Sequence, residues 1–297
     1  MTAPARPGDR ARIFEEHRSL LFGIAYRMLG SVADSEDVIQ DAWLRWSAAD
    51  RSQVAAPRAY LVRIVTNTAL NKLRSAKARR ESYVGPWLPE PLVVAPDIAE
   101  NVETAESVSM AVMVVLETLT PLERAVFVLR EVFGYGYDEL AASLGRSEAS
   151  VRQLAHRARE HVQARRPRFE PGREEQRRVT EEFLSACVGG DLGRLISTLA
   201  PGVRLIADSG GKARAPRRVI VGARKVARFL LAVAGDAAGL EIRVADVNGG
   251  TGLIGFDAGR PAVAVIFEIA DGQVQSLYLV NNPDKLNALA RDVELRK

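Results

Sequence analysis

The sequence predicts a multidomain chain: two all-α domains followed by an α+β domain. Three observations predict it. Residues 10 to about 80 and 107 to about 166 carry apolar residues at helical spacing with few prolines. Between them, Pro86, Pro89, Pro91 and Pro96 define a segment that cannot be helix, followed by an acidic stretch with Asp97, Glu100, Glu103 and Glu106. After the break at Pro167–Gly172, short β-rich runs alternate with glycine-containing turns. The expected boundaries are 10–82, a linker 83–106, 107–166, and a tail 172–297. A length of 297 residues allows each part its own core.

Composition narrows the partners. The net charge of +4 is mild, so a nucleic-acid footprint has to be local. The lone Cys187 excludes an internal disulfide and a cysteine-rich zinc site, and its apolar surroundings read as a small buried thiol. Met1 to Arg12 is polar and Pro-rich, unlike a signal peptide, and no apolar run approaches the ~20 residues that cross a bilayer. The chain is expected to be cytoplasmic, with no membrane partner.

In the first block, Val38, Ile39, Ala42, Trp43 and Trp46 form an apolar stripe on a helix over Asp34–Trp46. Asp37, Gln40, Asp41 and Arg45 line its other side. The acidic first turn alone is explained by the helix dipole. A second helix, Pro57 to about Arg80, starts with proline where its missing N–H costs nothing. Tyr60, Leu61, Ile64, Val65, Thr68 and Leu73 can pack, while Arg63, Asn67, Asn71 and Arg74 form a polar stripe. Lys72, Lys77, Arg79 and Arg80 make its end basic. Such a stripe suits DNA, although a solvated basic helix end also accounts for it.

The second block spells a helix-turn-helix between Tyr137 and His161. Leu140, Ala141 and Leu144 share one face, Gly145 supplies the turn, and Ser147 caps the next helix, with Glu148 at its positive end. Val151, Leu154, Ala158 and Val162 turn inward. Arg152, Gln153, His156, Arg157 and Arg159 are left outside, with groups suited to base edges and phosphates. An ordinary basic helical hairpin is the competing reading; turn, cap and both faces favour DNA binding.

The tail opens with two helices, Glu174–Val188 and Leu192–Leu199. Strands follow at Val203–Ala207, Arg218–Val221, Glu241–Val247, Thr251–Phe256, Ala262–Ile269 and Val274–Val280, with a helix at Ala223–Ala234. This order predicts a curved antiparallel sheet with an inserted helix.

Three motifs occur in an order that resembles the extracytoplasmic-function sigma factors: Asp34–Trp46, then Tyr60–Arg74, then Leu119–Arg124 leading into the helix-turn-helix. The resemblance covers about the first 165 residues. It implies a first block that holds core RNA polymerase and opens the −10 element, and a second that reads the −35 element. It places Asp37, Gln40 and Asp41 on the polymerase-binding helix. Arg63, Asn67 and Asn71 fall on the −10 helix, with Lys72, Arg74 and Lys77 beside them. Arg152, Gln153, His156 and Arg157 fall on the −35 helix, with Arg159 adjoining. Trp87-Leu88-Pro89-Glu90-Pro91 and Asn282-Pro283-Asp284-Lys285-Leu286 look like marks of a subgroup with a fused SnoaL-like (NTF2-like) cone domain. Asp208–Lys212 is similar to a third mark, departing from it at Ser209, where glycine is usual.

Some SnoaL-like relatives are enzymes, which implies a search for a proton-moving group. No His lies beyond His161, and the acids to consider are Asp208, Asp257 and Glu268. Catalysis, ligand sensing and an intramolecular regulatory surface all stay open, the last favoured. Docking Trp87–Pro91 on the tail, through Asp208, Lys212 and Asn282–Leu286, would let the tail act in place of a separate anti-sigma protein. Alternatively Trp87 packs on the first block. No catalytic residue, metal or cofactor is expected; the expected partners are core RNA polymerase and −35 and −10 promoter DNA. A helix-turn-helix regulator with an effector tail is the alternative, and it leaves Asp34–Trp46 and Arg63–Arg74 without a role.

Overall fold

The computed structural model describes residues 7–49, 54, 56–93, 109–165, 172–235 and 239–294, with the side chains of 7–9, 76–81 and 290–294 outside the description. The chain divides into two compact units, 1–81 with 115–165, and 82–114 with 166–297.

In the first unit, α1 (Pro7–Leu29), α2 (Val32–Ala48) and α3 (Pro57–Glu81) pack around Leu21, Ile24, Val38, Ala42, Leu61 and Val65, all fully buried. Ser31 caps α2 by accepting from the Asp34 N–H (3.1 Å), so that helix begins two residues before the sequence reading. Trp46 is buried and donates its indole N–H to the Arg10 carbonyl (3.1 Å), whereas Trp43 is only half-buried, edge-on to Phe14. α4 (Met110–Leu116), whose residues up to Val114 belong to the second unit, leads to α5 (Pro121–Phe127), which opens on a capping box between Thr120 and Glu123. A π-helical turn, Val128–Val132, follows α5 directly. Then come α6 (Tyr137–Leu144) and α7 (Glu148–Gln163), joined through Gly145 at φ 62°. That left-handed turn is what glycine permits at least cost. Two arginines lie inside this unit. Burial draws Arg27 down to about 10 and Arg124 to about 9; Arg27 Nη1 donates to the Gly23 carbonyl, and Arg124 donates to the Arg27 carbonyl and pairs with Glu117.

The second unit is built on one six-stranded sheet: β1 (Leu199–Asp208), β2 (Ile220–Val221), β3 (Glu241–Val247), β4 (Gly250–Asp257), β5 (Arg260–Ala270) and β6 (Gln273–Val280), in the order β2-β1-β6-β5-β4-β3. The hairpins β3–β4, β4–β5 and β5–β6 turn at Asn248-Gly249, Ala258-Gly259 and Asp271-Gly272, each pair at positive φ, as tight right-twisted hairpins require. The sheet is mixed rather than antiparallel. β1 and β6 run parallel, pairing Arg204 with Ser276 through to Asp208 with Val280. The meander begun at β3 returns beside β1 in the same direction, which no strand pattern reveals.

α8 (Arg173–Val188), α9 (Leu192–Thr198) and α10 (Ala223–Ala234) cover one face of the sheet with Val179, Phe183, Leu195, Val226 and Leu230. Leu88, Met110, and Leu286 and Leu289 of a terminal helix α11 (Pro283–Glu294) cover the other, over Ile206, Ile254, Ile266 and Tyr278. α11 is absent from the sequence reading. Cys187 is a half-buried thiol whose pKa burial pushes to about 12, the behaviour of a packing residue.

Candidate functional site

In the first unit, the polar face of α2 leaves Asp37, Gln40 and Asp41 exposed, because Val38, Ile39 and Ala42 turn into the core. Leu44 adjoins them and is 57% exposed, which neither the apolar stripe nor the motif singled out. Glu15, Arg18, Asp37, Gln40 and the half-buried Trp43 line a groove of about 460 Å³ beside that face. The arrangement offers carboxylates, an amide and an apolar side chain to a protein partner.

On α3, Arg63, Asn67, Asn71 and Arg74 are all exposed along one side. Arg63 lies over the Tyr60 ring (5.6 Å) and lines, with Tyr135, Glu139 and Ser143, a groove of about 320 Å³. Asn67 donates to the Ser143 carbonyl (3.4 Å), so part of this stripe is covered by α6. Lys72 is directed elsewhere, onto Asp37 (2.8 Å) and Asp34 (3.1 Å) of α2. Burial lowers its pKa, and the two carboxylates outweigh that and raise it. The Lys77 side chain lies outside the described residues.

On α7, Val151, Leu154, Ala158 and Val162 are buried, and Arg152, Gln153, His156 and Arg157 are exposed, with Arg159 half-exposed. Ser147 accepts from the Ser150 N–H (3.3 Å). The cations are held by surface carboxylates: Arg152 by Glu148 (3.0 Å), Arg157 by Glu123 (3.1 Å) and Arg159 by Glu131 (2.7 Å), with His156 3.6 Å from Glu160. Arg152 also lies 4.4 Å from the Tyr137 ring. Burial opposes ionisation of Glu123, but hydrogen bonds from Thr120 and Arg157 hold its carboxyl below the ordinary range. Exposed pairs contribute at most ~1 kcal/mol each, so phosphate can displace them.

In the second unit, the linker and the C-terminal motif meet at Asp208. Its carboxylate is fully buried and accepts from Tyr83 Oη (2.5 Å), Lys285 Nζ (2.6 Å), the Leu88 N–H (2.7 Å) and the Gly210 N–H (3.1 Å). Lys285, only 6% exposed, also donates to the Leu88 carbonyl and lies 3.9 Å from the Trp87 ring centroid. Asn282 donates to Tyr83 Oη (2.8 Å). A Cβ at Gly210 would come within 2.5 Å of Asn282 Nδ2, and φ there is +57°, so glycine is required. Lys212 pairs with Asp284 at the surface. Leu88, Pro89, Glu90, Pro91 and Leu286 are buried, and Trp87 is half-buried. The indole lies over the Lys285 ammonium, and Leu88 fills the apolar site beside it. Lys285 pairs with Asp208, both of them buried.

A second anchor holds the linker at Leu92 and Val93. Asn248 donates its N–H to the Leu92 carbonyl (2.7 Å) and accepts from the Leu92 N–H (3.1 Å), and Val93 bridges to Val247. Neither Tyr83 nor Asn248 is among the residues that the sequence singles out. Asn248 stands in an Asn-Gly-Gly turn, and a turn asparagine can also present its amide to a passing strand, which is the available signal.

The Sigma-70 region 2 family matches residues 13–79, and the Sigma-70, region 4 family matches residues 109–162. The chain is 41% identical to the ECF RNA polymerase sigma factor SigJ of Mycobacterium tuberculosis over 288 residues, 92% of this chain and 91% of that protein. It belongs to the ECF RNA polymerase sigma factors. A probable ECF sigma factor, SigI, from the same species is 30% identical over 93% of this chain and 94% of its own length. The crystal structure of M. tuberculosis SigJ aligns with a TM-score of 0.74 at 38% identity, covering 93% of this chain and 97% of that one. The chain is thus a sigma factor that directs transcription initiation, two helical sigma domains carrying a fused α+β tail. Sigma factors of this family bind core RNA polymerase and promoter DNA and are not themselves enzymes. Among the described residues no helix is long and apolar enough to cross a membrane.

Proposed function

We propose that this sigma factor is controlled by its own tail, acting in the cytoplasm in place of a separate anti-sigma protein, and that the tail is not catalytic. The domain limits follow the sequence reading: region 2 at 10–82, linker 83–106, region 4 at 107–166 and tail 172–297. α2 meets core polymerase through Asp37, Gln40, Asp41 and Leu44. Arg63, Asn67, Asn71 and Arg74 face the −10 strand, with Lys77 extending the basic end and Lys72 bracing α3 against α2. Arg152, Gln153, His156, Arg157 and Arg159 read the −35 element.

The observation that carries tail control is the buried Asp208–Lys285 pair closing on Tyr83 and Leu88 of the linker. The linker joins the two promoter-reading domains in the chain, so whatever fixes it constrains both. Asp208, one of the acids an enzyme might have used, is spent on that anchor. Glu268 accepts from Tyr278 Oη (3.0 Å), and burial followed by that carboxylate raises the tyrosine pKa, which makes it a poor acid.

Run-off transcription with purified core polymerase tests the reading. Lys285→Met should alter transcript yield from a target promoter at unchanged core affinity, and Glu268→Gln should leave yield unchanged. Identical yields from wild type and Lys285→Met would remove tail control through this anchor.

A further inference from the structure

The tail carries a charged edge that the linker anchor does not use. From Ser209 to Gly235 the chain has seven basic residues and no acidic one, whereas the rest of the tail has more acids than bases. Arg217 and Arg218 lead into the edge strand β2. Arg224, Lys225 and Arg228 occupy one sector of α10, opposite the buried Val226, Ala227 and Leu230. All five are exposed, and among the described residues none is in an ion pair. Lys212 and Arg214 complete the segment; Lys212 is tied to Asp284, and the Arg214 carbonyl accepts from Asn281 Nδ2 (3.1 Å), which fixes the loop that presents the others.

We propose that this edge binds the phosphate backbone of duplex DNA immediately upstream of the −35 element. An uncompensated cluster of this density raises the local potential and favours a polyanion. Four of the five groups are guanidinium forks, suited to two phosphate oxygens at once. The segment holds no Asn or Gln to read base edges, and its one aromatic, Phe229, packs into the tail core, which argues against base stacking with a single strand. Its large exposed apolar side chains are Val219 and Val221, too little to insert in a bilayer. Chain order places the tail after the −35 reader. Only nine residues, 164–172, separate α7 from α8, a span of at most ~30 Å or about nine base pairs.

The proposal rests on α7 reading the −35 element, and the test separates the two. Holoenzyme made with the full chain is titrated with promoter duplexes that extend about twenty base pairs beyond the −35 element or stop at its edge, over a range of salt. With Arg217, Arg218, Arg224, Lys225 and Arg228 all changed to Gln, affinity for the extended duplex should fall about 10- to 100-fold, and the salt slope should drop by about 3–4. The short duplex and core-polymerase affinity should be unaffected. The Arg217→Gln/Arg218→Gln and Arg224→Gln/Lys225→Gln/Arg228→Gln sets, each checked for an unchanged melting curve, should give intermediate losses. Equal affinity and slope on the extended duplex overturn the proposal, as does loss of binding to phosphatidylserine vesicles or to core polymerase in place of DNA. Failure of the −35 assignment shows separately, as Arg152→Ala that leaves short-duplex binding unchanged.

Discussion

Asp208 and Lys285 are buried together, and such a pair is stabilised by its remaining hydrogen bonds as much as by attraction between the charges. Asp208 keeps its three other donors if Lys285 is lost, but the charge is then uncompensated. Lys285→Met should therefore cost the second unit about 3 kcal/mol, read as a lowered midpoint in urea. Tyr83 adds a pH dependence. Burial first, then the Asp208 carboxylate, raise its pKa above the ordinary 10.0, so the neutral phenol belongs to the docked linker. The stability it contributes is complete below about pH 10 and is lost as pH rises beyond that, through the raised pKa. Calorimetry between pH 9 and 11 should show a falling midpoint in wild type and a flatter profile in Tyr83→Phe. The sequence marked Asp208 and Lys285 but not their pairing, since 77 residues separate them. Tyr83 lies just before the linker motif, and nothing local distinguishes it.

The helical elements were the most legible, because each carries its own signals. The Gly145 turn, the Ser147 cap and the inward row Val151, Leu154, Ala158 and Val162 all stand where the spacing placed them. β3 and α10 keep their expected bounds. α11 is less legible because Asn282-Pro283 stands inside a family motif, which hides a helix start with proline in its first turn; Leu286 and Leu289 at i, i+3 hold the signal. The parallel β1–β6 pairing depends on contacts across some 70 residues and leaves no local trace. At this scale α7 is the element to test. Arg152→Ala and Arg157→Ala break surface ion pairs and, for Arg152, a contact with the Tyr137 ring, so the melting temperature should change little. Each should cost roughly 1–3 kcal/mol of promoter binding if it removes a base contact, with altered preference at particular −35 positions. Equal, sequence-blind losses in competition binding would assign both to phosphates. Gly145→Val forces a β-branched residue into positive φ with open space around it, and should lower stability by about 1–2 kcal/mol through backbone strain alone.

For the whole molecule, the decisive feature is that residues 82–114 belong to the same compact unit as the tail. Leu88 and Met110, each about 1% exposed, share a core with Leu286 and Leu289 of α11, so the linker and the last helix are stabilised by one another. Deleting Pro283–Lys297 removes Lys285, Leu286 and Leu289 together, leaves Asp208 without its cation, and uncovers Leu88. Leu88→Ala acts at the same place from the other side and should cost about 2–4 kcal/mol of docking. If the tail governs initiation by holding the linker, the deletion, Leu88→Ala and Lys285→Met should all shift run-off transcription in the same sense. Protease cleavage of the linker should rise in parallel, and core polymerase affinity should stay fixed. Should Leu88→Ala and the deletion move transcription in opposite directions, α11 would act on initiation by a route separate from linker docking. If linker cleavage rose while transcription stayed constant in all three, the anchor would be a folding device with no part in control.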